Sequence, residues 1–299
     1  MPMKKMILTL PVLSGIMFGS AGVFVRTLTA AGVGNFSVMF LRSAIAVLEM
    51  TVFLLVYDRS LFKVRLKDLP VFLGTGILSM TCLNFCYNMA VNRLSLSLAA
   101  VLLSTAPVFV IAAAAVLFGE RITRRKVICV ALAIFGCVLS SGLAEEGAGA
   151  SLSASGVILG LLSAVFYALY SVFSKMATDR GYHTYTVIFY TVVFYAIVMI
   201  PFADYGQIAE FVSLSPLSNI VFLLLHSLML SILPYVLITV ALQYAEAGRV
   251  SIFASSTETI SAAVFGVFVY QEIPTVLMAF GMVTVIAALV VLSIEPGKV

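Results

Sequence analysis

Charge is what this chain has least of. Of its 299 residues only 10% are charged, whereas 62% are hydrophobic. Soluble domains carry about 25% charged residues, so a water-soluble fold is excluded. Alternating segments of about ten residues, the mark of an outer-membrane barrel, are also missing. Lipid offers no partner to open backbone groups, which leaves helices as the spanning elements. Cysteine is sparse too. Cys82, Cys86, Cys129 and Cys137 all fall inside apolar runs and read as packed, reduced thiols, with no disulfide framework. The Cys82–Cys86 spacing, without His or Asp nearby, is too weak for a metal site. No His-Glu-x-x-His, Gly-x-Ser-x-Gly, P-loop or dinucleotide fingerprint occurs, so neither an enzyme class nor a cofactor is signalled. The net charge of +4 arises in loops and does not point to nucleic acid.

What the chain does have is long apolar runs. A membrane-spanning helix needs about 20 mostly apolar residues. Ten such segments are present: 7–27, 35–56, 70–91, 96–118, 125–143, 154–177, 184–203, 218–242, 250–270 and 274–294. The start, Met1-Pro-Met-Lys-Lys, resembles a signal peptide, but the apolar run reaches about Leu28 with no clean cleavage site, so it reads as the first span. Lys and Arg fix the orientation, because they concentrate in cytoplasmic loops. With the amino terminus inside, fourteen of the 17 Lys and Arg fall inside, Arg26 and Arg93 fall outside, and Arg42 lies within a span. Both termini are therefore expected in the cytoplasm.

The two halves resemble each other. An offset of 152 aligns Ser104 with Ser256, Thr105 with Thr257, Glu120 with Glu272 and Thr123 with Thr275. An offset of 149 places Gly15 and Gly19 on Ala164 and Ala168, Phe18 on Tyr167, and Arg26 on Lys175. Small residues four apart let helices approach closely. Residues 1–146 and 147–299 thus form two repeats of five spans, joined through the flexible stretch Gly147 to Ser155. Five is odd, so the second copy enters the membrane from the opposite side. Inverted repeats of this kind are a hallmark of secondary transporters, whose substrate site lies near the midplane between the repeats.

These residues also carry a family resemblance. Phe40-Leu41-Arg42 with Ala46, Pro107-Val108-Phe109, Phe118-Gly119-Glu120-Arg121-Ile122, Glu258, and Tyr270-Gln271-Glu272-Ile273-Pro274 resemble the motifs of the drug/metabolite transporter superfamily, in its ten-helix EamA-type branch. The resemblance covers essentially the whole chain. Thr259 stands where the family often has proline, and Phe18 and Tyr167 stand where it often has tryptophan, a residue this chain lacks. The resemblance implies export or exchange of small metabolites, amino acids included, across the bacterial inner membrane.

Polar residues at depth are the candidate site, since a charge at the bilayer centre is costly and usually functional. Glu258 lies halfway along its span. It serves proton coupling or a substrate ammonium group, or it is a structural partner of Arg42. Arg42 itself reads as an interhelical anchor or gate. Glu49, seven residues on, lies nearer the cytoplasmic end. His226 is either a hydrogen-bonded neutral ring or a relay to Glu258. Asn84, Tyr87 and Asn88 form one polar stripe, and Tyr167, Tyr170, Ser171 and Ser174 form another, each suited to a cavity wall. Ser104 and Ser256, paired by the repeat, complete the candidate substrate-binding set. Pro107 and Pro234 each free a helix carbonyl, at Leu103 and Leu230.

The expectation is an all-α integral membrane protein of ten transmembrane helices working by alternating access. One deep acid, one His and several hydroxyls and amides suit a small amphipathic or zwitterionic solute. A polyphosphate would need more cations than Arg42. Proton coupling and a homodimer contact through the fourth–fifth and ninth–tenth hairpins stay open. The alternatives are an exporter of cationic drugs or amines and an intramembrane enzyme acting on lipid.

Overall fold

The structure, a computed structural model, describes residues 2–91, 93, 102–119, 121–140, 153–270 and 275–293. Glu120, Glu272 and residues 147–152 of the connecting stretch lie outside them. No strand occurs among the described residues.

The helices are α1 (Pro2–Gly19), α2 (Ala21–Ala30), α3 (Asn35–Tyr57), α4 (Leu69–Leu73), α5 (Cys82–Val91), α6 (Ala106–Phe118), α7 (Arg124–Ser140), α8 (Ala154–Asp179), α9 (Thr184–Met199), α10 (Tyr205–Leu214), α11 (Pro216–Ser227), α12 (Leu233–Tyr244), α13 (Ala247–Tyr270) and α14 (Val276–Ser293). Only Ser20 separates α1 from α2, and its hydroxyl donates to the Met17 carbonyl at 2.6 Å. Among the described residues, six stretches are long and apolar enough to cross a membrane: Ile7–Ala30, Asn35–Tyr57, Leu66–Ala90, Ala154–Asp179, Thr184–Phe202 and Pro216–Tyr244. Ala106–Phe118 and Ala279–Ala288 are shorter apolar helices.

Two rods contain a π-helical segment. Gly74–Thr81 joins α4 to α5, and Leu228–Ile232 joins α11 to α12. The wider π turn weakens the backbone ladder, and side chains compensate. Ser79 Oγ donates to the Gly74 carbonyl at 2.7 Å and Thr81 Oγ1 to the Gly76 carbonyl at 3.0 Å. Pro234 occupies the first turn of α12 directly after the second π segment, where its missing N–H costs nothing. Pro107 likewise starts α6, behind a turn at Ser104 and Thr105. The prolines thus mark a π turn and a helix restart.

The turn after α2 and the turn after α8 share one hydrogen-bond pattern. Ala31, Gly32 and Val33 amides bond the carbonyls of Thr27, Thr29 and Leu28. Arg180, Gly181 and Tyr182 amides bond those of Met176, Thr178 and Ala177. Every member of the second set lies 149 residues after its counterpart. Gly32 and Gly181 take φ of +86° and +84°, where only glycine is unstrained.

Helix pairing has the same regularity. Helix α1 packs on α12 and α13, while α8 packs on α5 and α6. Helix α3 packs on α11, while α9 packs on Gly74–Thr81. The pairs α3–α9, α6–α13 and α7–α14 join one half to the other. The α7–α14 contact is close, because a Cβ at Gly136 would meet the Gly281 carbonyl at 2.8 Å and Val285 Cγ2 at 2.6 Å. The largest cluster of buried side chains, with Met50, Leu54, Tyr170, Tyr195 and Leu242, draws on both halves.

Each end of the bundle carries a clasp between the halves. At one end, the loop after α3 is held by the start of α9. Thr186 Oγ1 donates to the Leu61 carbonyl at 2.9 Å and Tyr190 OH to the Phe62 carbonyl at 2.6 Å. Asp68 accepts from Arg180 at 2.8 Å and Tyr182 at 2.7 Å. Burial pushes the Tyr182 phenol above its usual range, so it stays a donor at neutral pH. Asp58 shapes the same loop: the Ser60 hydroxyl and amide hold its carboxyl below the usual carboxylate range. At the other end, the Asp204 amide donates to Ser37 Oγ at 3.0 Å and the Gly34 amide to Gln207 Oε1 at 2.9 Å. Ser37 and Thr186, one hydroxyl in each clasp, are again 149 apart.

Candidate functional site

Glu258 is set in place by two glycines. A Cβ at Gly15 would meet the Ala254 carbonyl at 2.5 Å and the Glu258 amide at 2.8 Å. A Cβ at Gly19 would meet Ser261 Cβ at 2.5 Å and the Glu258 carbonyl at 2.9 Å. Only a side-chain-free stripe lets α1 lie this close to α13, and the contact is centred on the acid. The Glu258 side chain itself is half-buried, and among the described residues it has no hydrogen bond or ion pair.

Three tyrosines lie within electrostatic reach of that carboxylate: Tyr87 on α5, Tyr167 on α8 and Tyr235 on α12. Tyr235 is held by its neighbours. Its ring meets Phe18 edge-on at 5.0 Å and Tyr170 edge-on at 4.8 Å. Tyr170 is anchored in turn, with its hydroxyl 3.1 Å from Thr239 Oγ1. Such edge-to-face contacts fix ring orientation as well as adding area. A carboxylate at depth with tyrosines from three helices within electrostatic reach is a suitable receptor for an organic cation.

Arg42 forms a second centre. Its Nη2 donates to Asn84 Oδ1 at 3.0 Å and to Tyr195 OH at 3.4 Å, and the guanidinium lies 5.9 Å from the Tyr195 ring centroid. Asn84 is locked by its own bond to the Met80 carbonyl at 2.7 Å. Arg42 Nε is buried without a hydrogen-bond partner. Among the described residues Arg42 and Glu258 are not bonded to each other, and both act electrostatically on Tyr235.

The other sequence candidates are distributed around these centres. Asn88 donates to Met39 Sδ at 2.9 Å, tying α5 to α3. Ser104 Oγ lies 3.2 Å from Thr259 Oγ1, joining the turn before α6 to α13. Ser256 is buried on the stripe of α13 that carries Ile252 and Thr259, one face away from Glu258. His226 is fully buried, stacked on Phe24 at 5.3 Å, with neither ring nitrogen hydrogen-bonded. Its charged neighbour is Arg42, and no contact joins it to Glu258. Glu49 accepts from Ser227 Oγ at 2.8 Å. Ser174 Oγ is buried without a partner.

Sequence reasoning passed over Tyr195 and Tyr235. Both lie well inside apolar segments, and the argument applied to Tyr167 and Tyr170 would have selected them. Nothing in the sequence, however, indicates that they meet Arg42 and Glu258. No cluster of three or more His, Cys, Asp or Glu able to hold a metal occurs among the described residues, and Cys82, Cys86 and Cys129 are free thiols.

The chain is similar to known proteins over nearly its whole length. The sequence model of the EamA-like transporter family matches residues 4–142 and 154–294. An uncharacterized transporter of Archaeoglobus fulgidus is 26% identical over 94% of this chain and 93% of its own length. The pseudopaline exporter CntI of Pseudomonas aeruginosa is 28% identical over 95% of this chain and 94% of its own. A solved crystal structure superposes with a TM-score of 0.77 at 17% identity, covering 97% of this chain and 96% of that one, which speaks for the fold. The chain belongs to the EamA-like transporter family.

Proposed function

We propose that the chain is a secondary transporter of small amphipathic or zwitterionic, amino-acid-like metabolites. It works by alternating access across the bacterial inner membrane, in export or exchange, with both termini in the cytoplasm. Its ten passes form two inverted repeats, residues 1–146 and 147–299, and the substrate sits at the seam between them. Lys and Arg distribution supports the orientation. The two stretches matched by the family model support the repeat boundaries. Export as the direction draws support from the pseudopaline exporter's name.

The observation that carries this reading is the helix pairing. Exchanging α1 with α8, α3 with α9, α4–α5 with α11–α12, α6 with α13 and α7 with α14 turns the α1–α12 and α1–α13 contacts into α8–α5 and α8–α6, and α3–α11 into α9–α4, and returns α3–α9, α6–α13 and α7–α14 to themselves. Two packings of one architecture related in this way supply the bistable element that alternating access requires. That Tyr87 from the first half and Tyr167 and Tyr235 from the second lie within electrostatic reach of Glu258 supports a site between the halves.

A cationic amine is the second reading, because the tyrosines around Glu258 suit an ammonium group on its own. Glu258→Gln tests either form. With the protein reconstituted in liposomes, counterflow should fall about ten-fold or more while the folded fraction is retained, since one charge-assisted contact is lost. Counterflow at the native rate would remove Glu258 from the site.

A further inference from the structure

Among the described residues, Arg42 is met by no acid. A guanidinium offers five N–H groups. Those of Nη2 meet only neutral oxygens, on Asn84 and Tyr195. Nε is buried with no partner. The Tyr195 oxygen accepts from Arg42, which leaves its own hydrogen free to be donated. His226, within electrostatic reach of Arg42, adds two buried ring nitrogens without partners, one of which carries a hydrogen in the neutral ring. Glu49 is bonded by Ser227, and among the described residues Glu258 makes no ion pair with Arg42.

Buried polar atoms in native proteins are nearly always paired, and a cluster left unpaired needs an explanation. A buried cation without a counter-charge is more costly still. The missing group must be an anion that accepts from several N–H and O–H donors. A planar monoanion matches the guanidinium fork, whereas a phosphate dianion would call for more than one cation.

We infer that the Arg42 cluster, with Asn84, Tyr195 and His226, is a carboxylate subsite, so the ligand is a zwitterion that lays its carboxylate on Arg42 and its ammonium group on Glu258. Tyr235 lies within electrostatic reach of both poles. This inference rests on the transport reading above, and it resolves the choice that reading leaves between a zwitterion and an amine. Asn84 then has a positioning role: it orients Arg42 and leaves Nε open. The unlike poles also explain why the protein does not form an internal Arg42–Glu258 ion pair. Each charge is kept available for the ligand.

The test uses the full chain in liposomes and a panel of the twenty amino acids. Each amino acid that binds is compared with its decarboxylated amine and with the carboxylic acid lacking the amino group. Binding is read by thermal shift and transport by counterflow. In the native protein an amino acid should bind more tightly than either of its one-pole relatives. Arg42→Gln should weaken the amino acid and the carboxylic acid about ten-fold or more and leave the amine unchanged. Tyr195→Phe, which keeps the buried guanidinium, should weaken the same two compounds about ten-fold, the effect of one hydrogen bond to a charged group. It serves as the test should Arg42→Gln not fold. Glu258→Gln should do the reverse, sparing the carboxylic acid.

Equal losses for amine and amino acid in both Arg42→Gln and Tyr195→Phe would overturn the subsite and leave Arg42 a structural anchor. Amines moved while amino acids are not would likewise overturn it, with transport itself intact. Counterflow of no solute at all would instead contradict the transport reading on which the subsite depends.

Discussion

At the scale of single residues, cost is what made the site legible. A charge in an apolar run is expensive, so Glu258 and Arg42 stand out from the sequence alone. Tyrosine carries no such penalty. It packs, anchors at interfaces and lines cavities, so Tyr195 and Tyr235 became visible only through the helices they face. Ser256 shows the converse limit. The repeat pairs it with Ser104, yet helical spacing turns it one face away from Glu258, towards the stripe shared with Ile252 and Thr259. The glycines beside Glu258 give a sharp prediction. A methyl group at Gly15 or Gly19 would press on α13 backbone at under 3 Å, where neither partner is a flexible side chain that can move aside. Gly15→Ala and Gly19→Ala should each destabilise the fold by about 1–3 kcal/mol, the usual effect of overpacking. Thermal unfolding in detergent reads this directly. An unchanged midpoint would mean that α1 and α13 are not in such close contact.

At the scale of elements, the sequence foretold where the rods are interrupted and not how. Pro107 and Pro234 announce a break, because proline removes a donor and clashes with the preceding turn. The form of the break, a restarted α6 and a π-helical Leu228–Ile232, depends on packing with other helices. Gly74–Thr81 has no proline at all, so its π turn could not be read from composition. The two clasps belong to the same scale, since each ties a loop of one half to a helix start of the other. Thr186 closes one and Ser37 the other. Each hydrogen bond is worth about 1 kcal/mol net, enough to shift a balanced equilibrium about five-fold. In vesicles of defined orientation, Thr186→Val should raise the reactivity of a Tyr87→Cys thiol from the Thr186 end, and Ser37→Ala should raise it from the Ser37 end. The reporter is placed in a background free of the native cysteines. Equal effects of both variants from one side would contradict opposed clasps.

At the scale of the whole molecule, the all-helical class was readable because long apolar runs leave helices as the spanning elements. The offset of 149 that aligns Gly15 with Ala164 recurs in the backbone, as the paired turns at Gly32 and Gly181 and the paired hydroxyls of Ser37 and Thr186. Which helices of one half lie against which of the other was not readable, because apolar helices carry little information about their partners. Family membership fixes the class of molecule as a transporter.

The account stands or falls on the second half being an upside-down copy of the first. Thr123 and Thr275 are matched positions at an offset of 152, and both are exposed. The direct measurement is to place a single cysteine at Thr123 or at Thr275 in the same cysteine-free background and to label intact cells with a membrane-impermeant thiol reagent. The account predicts that Thr275→Cys reacts from outside and Thr123→Cys only after the membrane is opened. Labelling of both from the same side would contradict it.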